Sequence, residues 1–288
     1  MVEVNLSPPP PLERLLRRID EISTLPHVAL RLMEVANDPN SSASDLKQVL
    51  ENDPALSARV LRYVNSAAYG MRTKITNLQD AIAYLGLKQL RNLTLAASVA
   101  ELFRKDEAIG PYRRSELWRH MVSVGICARL IAMRRKMKNF DDIFLAGLLH
   151  DIGIILEDQH CHTHFAAMIR SLDRSKTLIE NEQEVLGFDH ARLGDKVAEM
   201  WRFPDAIRAA IRWHHNSANY RGEHAETLYC VDAANLICSL KGATSVGVQL
   251  VRLSPVAMQT LSLAKEDILV LAEDLEAELA RNASLFQA

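Results

Sequence analysis

Hydrophobic residues recur every three to four positions along nearly the whole chain, which is the spacing of helices with one buried face. Ser42 and Asp53 each precede such a stretch and are good N-cap residues, and Pro54 suits the first helical turn. Alternation typical of strands never extends beyond a few residues. The pattern predicts an all-α protein, whose later helices cover about 115–138, 141–157, 190–201, 205–215, 226–240 and 265–282.

Composition supports a folded helical chain without an electrostatic bias toward nucleic acid. The 288 residues include 11 glycines and 10 prolines. Together these make up about 7 % of the chain, well below the average share of about 12 %. Hydrophobic residues make up 48 %, and the formal net charge is −2. Such a chain can bury a large core, and it has no global positive field to attract nucleic acid or anionic membranes.

Breaks in the helical pattern suggest four parts. Residues 1–14 are predicted to be a disordered, proline-rich N-terminus, and residues 104–111 interrupt the apolar spacing with charged residues and a glycine. We therefore predict an N-terminal helical subdomain over 15–108, packed on a helical bundle over 112–240. A C-terminal helical extension follows over 241–288.

The cysteines and the longest apolar stretches indicate the cellular compartment in which we expect the protein. None of the four cysteines forms a C-x-x-C pair, and three lie in apolar helical patterns where a reduced cysteine packs as a small hydrophobe. No stretch resembles a signal peptide, and no run of 18 apolar residues exists. We expect a cytoplasmic protein without disulfides or a membrane span.

A histidine and an aspartate stand side by side in the most apolar segment of the chain. His150 and Asp151 lie within 143–156, which is apolar on all sides and carries no lysine or arginine. An unpaired buried carboxylate costs several kcal/mol, so such groups are paired or bind metals. Asp151 therefore requires partners from other helices.

Candidate partners occupy apolar faces elsewhere. Histidines and one further aspartate continue the hydrophobic stripes of their helices: His120, His190, His214, His215 and Asp232. Each alone would be read as a hydrogen-bonded core residue. Together with His150 and Asp151 they form a set of imidazoles and carboxylates, the ligands that Zn, Fe, Mn or Ni prefer. Seven such groups suit one or two divalent ions, with Asp151 as the bridge.

At these positions the sequence resembles a known superfamily. His120, His150-Asp151 and Asp232 match the H…HD…D signature of the HD metal-dependent phosphohydrolases, and His190 and His214-His215 match extra ligands of the HD-GYP branch. The first half is similar to the HDOD family, the HD-related output domain. The motifs that carry this likeness are Leu25-Pro26-His27, Asn52-Asp53-Pro54-Ala55-Leu56, Asn65-Ser66-Ala67-Ala68-Tyr69-Gly70 and Ala81-Ile82-Ala83-Tyr84-Leu85-Gly86.

The resemblance implies a bacterial signal-transduction output or scaffold module with an HD-like bundle that regulates a protein partner. Ile154 stands where the HD-x-G-K motif of active enzymes has lysine, and 216–220 replaces the G-Y-P loop. We therefore expect a metal-binding core without established catalysis. The alternative is a metal-dependent phosphodiesterase in which a metal-activated water at Asp151 attacks phosphorus.

Other motifs point more weakly to function. His160-Cys161-His162-Thr163-His164 places alternate imidazoles on different helix faces, so we interpret it as a loop and helix start. No helix-turn-helix with a basic recognition helix occurs, which argues against a nucleic-acid partner. The amphipathic segment 268–279 is expected to pack on the core, with a homodimer face as the alternative.

Overall fold

Helices account for most of the N-terminal half. A computed structural model describes residues 7–22, 31–32, 34–35, 38, 40–65, 73–252 and 254–283. The motif 25–27 and most of the motif 65–70 lie outside the described residues. The N-terminal helices are α1 (Leu12–Ile22), α2 (Ala43–Glu51), α3 (Pro54–Val64) and α4 (Leu78–Val99), followed by a 3-10 turn over Ala100–Phe103.

Two helix starts are capped by the predicted residues. The Ser42 hydroxyl accepts a hydrogen bond from the Asp45 backbone N–H, and the Asp45 carboxylate accepts one from the Ser42 N–H. This capping box satisfies two backbone donors that the first helical turn leaves free. The Asp53 carboxylate likewise accepts from the Leu56 N–H, with Pro54 at the first position of α3.

A short antiparallel hairpin lies where the sequence predicts the boundary between the two halves. Strands β1 (Ala108–Ile109) and β2 (Tyr112–Arg113) pair around Gly110, whose φ of 54° places it in the left-handed region. Tyr112 is fully buried, and its hydroxyl donates to Asp158 at 2.9 Å. The boundary is therefore a turn fastened to the C-terminal bundle.

The C-terminal half is a bundle whose helices follow the predicted ones, with additional helices between them. The segment 141–157, predicted as one helix, forms two. The bounds are α5 (Arg114–Arg134), α6 (Phe140–Leu149), α7 (Ile152–His160), α8 (His162–Arg170), α9 (Leu178–Leu186), α10 (His190–Met200), α11 (Asp205–Trp213), α12 (Ala225–Leu240), α13 (Pro255–Thr260) and α14 (Lys265–Arg281).

One continuous hydrophobic core joins the two halves. Helix α5 packs along α6 and α12, while α1 packs on α7 and α10, and α4 on α6. Helices α5 and α6 cross closely at two glycines, where a Cβ on Gly147 would lie 2.8 Å from Gly125 Cα. This crossing brings the ends of α5 and α6 that carry site residues together. Over the described residues, no helix combines the length and hydrophobicity that crossing a bilayer requires.

Candidate metal centre

The chain turns sharply at His150 and Asp151 instead of continuing as one helix. Helix α6 ends at Leu149 and α7 begins at Ile152. Neighbouring residues of a continuous helix point in different directions. The turn instead brings His150 Nε2 and Asp151 Oδ2 within 3.3 Å of each other. The predicted single helix is thus wrong, and its interruption allows adjacent residues to serve one site.

Four imidazoles surround the Asp151 carboxylate, two at each oxygen. Oδ2 lies 3.4 Å from His120 Nε2 and 3.3 Å from His150 Nε2. Oδ1 lies 3.3 Å from His190 Nε2 and 3.2 Å from His214 Nε2. The carboxylate therefore separates two groups of possible ligands, each with its own oxygen.

A fifth imidazole completes the second group. His215 Nε2 lies 3.1 Å from His190 Nε2. The resulting sets are His120, His150 and Asp151 on one side and Asp151, His190, His214 and His215 on the other. All of these residues are buried except His215, which is partly exposed.

The opposite ring nitrogens are fixed by acceptors. His120 Nδ1 lies 2.8 Å from the Ala243 carbonyl oxygen, and His150 Nδ1 lies 2.7 Å from that of Gly147. His214 Nδ1 lies 3.0 Å from a carbonyl oxygen of its own helix. Because a carbonyl only accepts, each Nδ1 carries the proton, and the neutral ring presents an Nε2 lone pair to the centre.

A buried carboxylate supports His190 in the same way. Both oxygens of Glu182 lie within 2.8 Å of His190 Nδ1, and one also accepts the His190 backbone N–H at 3.0 Å. Glu157 lies behind Glu182, fully buried and without a hydrogen-bond donor. Burial, and then the charge of Glu182, raise the pKa of Glu157 well above its ordinary value. Burial raises the pKa of Glu182 as well, but the charge and hydrogen bonds of His190 oppose that shift. Of the two acids, Glu182 is therefore the one that favours a charge facing His190.

The orphaned atoms at the centre fit a metal. His120 Nε2, His150 Nε2 and Asp151 Oδ1 are buried and make no hydrogen bond with the described residues. With bonds of about 2.0–2.1 Å, ligand atoms lie about 3.3–3.4 Å apart around a tetrahedral ion and about 2.8–3.0 Å apart around an octahedral one. The distances from Asp151 to its four imidazoles fall between 3.2 and 3.4 Å. Spacing, tautomers and donor types all suit a divalent cation.

Electrostatics keep the carboxylate ionised and favour the neutral form of two of the imidazoles, His150 and His215. Burial alone would raise the pKa of Asp151, but the adjacent imidazoles, His150 first, hold it well below its ordinary value. Burial lowers the pKa of His150 to about 4, and burial with the neighbouring rings lowers that of His215. For His190, Glu182 and Asp151 outweigh burial and raise the pKa. The neutral rings are in the protonation state that metals require.

Asp232, the seventh expected ligand, lies outside both groups. Its carboxylate accepts a hydrogen bond from the Ser217 hydroxyl, which also contacts the Ser254 hydroxyl at 2.9 Å. Burial raises the pKa of Asp232 to about 6. The structure thus brings six of the seven sequence candidates together and places Asp232 beside them, on the wall of a cleft.

That cleft provides access to the second ligand group. It has a volume of about 500 Å³, and His214 and His215 belong to its lining together with Asp232, Ser217 and Ser254. The starts of α9 and α10 and the segment after α12 supply most of the remaining wall, to which Arg212 and Arg252 also belong. The site is therefore buried on the α5 side and open on the α11 side.

The histidine tract after α7 serves packing. Helix α7 ends at His160 and α8 begins at His162, so the predicted helix start is present. The predicted loop is reduced to Cys161, and both Cys161 and His160 are buried. His162 Nδ1 lies 2.9 Å from an oxygen of Asp158, and these two residues with Glu107 form a third group of possible ligands. Arg114 already pairs with the same carboxylate, so that group carries a resident cation.

Glu182, Glu157 and Ser217 are supporting residues that sequence reasoning did not find. Glu182 lies on α9, a helix that the apolar spacing did not predict. A glutamate eight positions before His190 carries no distinctive spacing, so no sequence signal identified it.

The fold and site define a class, the helical HD-type proteins, in which buried histidines and an aspartate form a cluster that could hold a metal. Residues 22–217 match the family profile of the HDOD domain. The chain belongs to the HDOD domain family.

Relatives agree with this assignment. A protein of Treponema pallidum without a characterised function is 24% identical over 222 residues, a match that covers 76% of this chain and 42% of that protein. The chain thus spans less than half of the length of this relative. The structure of an HDOD domain protein of unknown function from Geobacter sulfurreducens is 26% identical with a TM-score of 0.74, covering 95% of this chain and 98% of that one. A candidate phosphohydrolase from Shewanella amazonensis is 24% identical with a TM-score of 0.74, covering 95% and 97%, a likeness that shows the fold alone.

Proposed function

We propose that this chain is a signal-transduction output module of the HDOD type whose core binds a divalent metal and which regulates a protein partner. The observation that carries the metal part is the arrangement around Asp151. Four Nε2 atoms lie within 3.4 Å of its carboxylate, and their rings are held by acceptors at Nδ1 or, for His190, by Glu182.

The proposed ligands are the six residues of the two groups. His120, His150 and Asp151 would hold one ion, and Asp151, His190, His214 and His215 the other. The second group offers four ligand atoms against three in the first, so we expect it to bind its ion more tightly. Fe, Mn, Zn and Ni all accept imidazole and carboxylate ligands, and the chemistry of the donors selects none of them.

The regulatory part of the proposal rests on family membership and on two features of the chain. Ile154 is fully buried in α7, so the residue in the position of the catalytic motif's lysine offers no charge to a ligand. The described cysteines are all free and buried, which suits the reducing cytoplasm where we place the protein. We propose a protein partner or a second copy of this chain as the regulated target.

A metal-dependent phosphohydrolase is the second candidate, and the cleft at His214 and His215 favours it. A divalent ion in the second group would supply Lewis acidity toward a phosphoryl group. In this chain Asp151 would orient such an ion, and Asp232 and Ser217 would line the approach. The proposed reaction class is phosphodiester hydrolysis.

Elemental analysis of protein purified without chelators tests the proposal. We expect bound metal in the wild type and its loss in Asp151→Asn, which removes the shared charge. Asp205→Asn is the matched control, because Asp205 is exposed on the helix that leads to His214. Protein that contains no metal and takes up none from Mn, Fe or Zn solutions would refute the metal site.

Activity on phosphodiesters separates the two candidates. The regulatory proposal predicts no metal-dependent turnover of a generic phosphodiester such as bis(p-nitrophenyl) phosphate. Turnover by the wild type that disappears in Asp151→Asn but persists in Asp205→Asn would favour the enzyme instead. Size-exclusion chromatography with light scattering then reports whether two copies associate.

A further inference from the structure

The cleft beside the metal centre contains a guanidinium group without a partner. Arg212 is half-buried at the end of α11, two residues before His214, and it lines the cleft. Among the described residues its guanidinium makes no hydrogen bond or ion pair. The guanidinium carbon lies 5.4 Å from the centroid of the Trp213 ring. Such stacking holds the group in place while leaving its N–H donors unused.

Other arginines nearby are already neutralised. Arg208, one turn earlier on α11, is within 3.0 Å of oxygens of both Asp195 and Glu199. Arg252, on the cleft rim, is mostly exposed and lies 3.4 Å from Glu180. Of the two arginines that line the cleft, Arg212 is therefore the one that makes no hydrogen bond or ion pair with the described residues.

The carboxylates of the cleft have their own donors. Asp189 accepts from the Arg192 N–H and from Gln183. Glu180 caps α9 through Thr177, and Asp232 accepts from Ser217. These acids already accept hydrogen bonds within the protein, whereas Arg212 donates none to the described residues. Arg212 is therefore free to bind an anion in the cleft.

We propose that Arg212 binds the phosphate group of a small-molecule ligand in this cleft, next to the metal ligands His214 and His215. The proposal rests on the proposed function, because it assigns the ligand class of the same metal centre. A cleft of about 500 Å³ lies within the range of about 300–1,000 Å³ typical of small-molecule sites.

The chemistry of the two groups favours phosphate over carboxylate. A guanidinium fork matches two oxygens of either anion. A tetrahedral phosphate keeps further oxygens for a second positive centre, whereas a carboxylate has only two in all. A site with a guanidinium on its wall and a cation beneath His214 and His215 thus suits a phosphate.

Calorimetric titration of the Mn²⁺-loaded full chain with inorganic phosphate and with adenosine monophosphate tests this inference. We expect both to bind the wild type and to bind Arg212→Gln about 10- to 100-fold more weakly, the effect of losing charge-assisted hydrogen bonds. Arg212→Lys should fall between the two, since it keeps the charge but loses the fork. Arg62→Gln, an exposed arginine on α3, is the control and should match the wild type.

Three results would overturn the proposal. They are equal phosphate affinity in the wild type and Arg212→Gln, no phosphate binding by the wild type, and acetate binding as tight as that of phosphate. Metal content and the melting temperature are measured on every variant, so that loss of metal or fold is recognised. If the wild type takes up no metal, the proposed function fails. The titration of metal-free protein then tests Arg212 separately, and loss of residual phosphate binding in Arg212→Gln supports its role.

Discussion

Glu182 offers the sharpest test of how the protein prepares its metal ligands. It is fully buried, and its carboxylate receives both the Nδ1–H and the backbone N–H of His190. Glu182→Gln preserves the shape but replaces one acceptor oxygen with an NH₂ group that can only donate. The remaining oxygen can still accept from His190 but is no longer ionised, and where Oε1 stood the NH₂ group opposes the Nδ1–H of His190, donor against donor.

The expected magnitude follows from those two contacts. A hydrogen bond to a charged group contributes about 1.5–3 kcal/mol, and each 1.4 kcal/mol corresponds to about tenfold in affinity. We expect Glu182→Gln to weaken metal binding by about 10- to 100-fold. Disturbing groups that orient ligands has the same typical effect. The ion bound by the second ligand group should be affected more than the other.

Competition with a chromogenic chelator, titrated with Zn²⁺ or Mn²⁺, measures this change. Glu184→Gln is the matched control, because Glu184 lies on the same helix but is 62% exposed and pairs with Lys176 at the surface. Its metal affinity should equal that of the wild type. An unchanged affinity in Glu182→Gln, or an equal loss in both variants, would show that the buried hydrogen bonds do not tune the site.

Three further changes probe the surroundings of the centre. In Gly153→Ala the new Cβ would lie 2.0 Å from the His190 carbonyl oxygen, so overpacking should reduce the free energy of unfolding by at least about 1–3 kcal/mol in urea titrations. Asp232→Asn should retain the full metal content by elemental analysis, because Asp232 bonds to Ser217; a loss would restore it as the seventh ligand. Burial, with a smaller effect of a nearby arginine, lowers the pKa of His160 from 6.5 to about 4. The unfolded chain therefore takes up the proton first as pH falls. Stability should decrease between pH 6.5 and 4 by on the order of 2–3 kcal/mol, and His160→Gln should flatten that decrease; an unchanged slope would contradict it.

The apolar spacing was sufficient to predict the helical class and most of the bundle helices. It could not predict the interruption at His150 and Asp151, because every residue around them is apolar and compatible with a helix. The interruption comes from tertiary contacts, in which Asp151 faces imidazoles from three other elements. The spacing of apolar residues shows which face of one helix is buried in the core. It does not show where polar residues of several helices meet.

The residues of the candidate site were likewise predicted only in part. Residues on apolar faces, such as His120 and His190, were identified because burial makes an imidazole require a partner. Glu182 was missed because its helix, α9, was not predicted. Asp232 also lies on an apolar face, yet Ser217 supplies its partner. A position on a buried face therefore predicts that a polar group has a partner, but it does not identify that partner.

The spread of the ligands along the chain has a thermodynamic consequence. His120, Asp151, His190 and His215 belong to segments that are far apart in sequence, and His120 is additionally held by Ala243, beyond α12. Metal bound in both ligand groups, which share Asp151, would act as a cross-link that closes several long loops at once. Loop-closure entropy depends only weakly on loop length, so most of the stabilisation by the metal would come from the number of loops that it closes. Loss of the metal would then loosen the whole bundle cooperatively, and any partner that recognises its surface would detect the change.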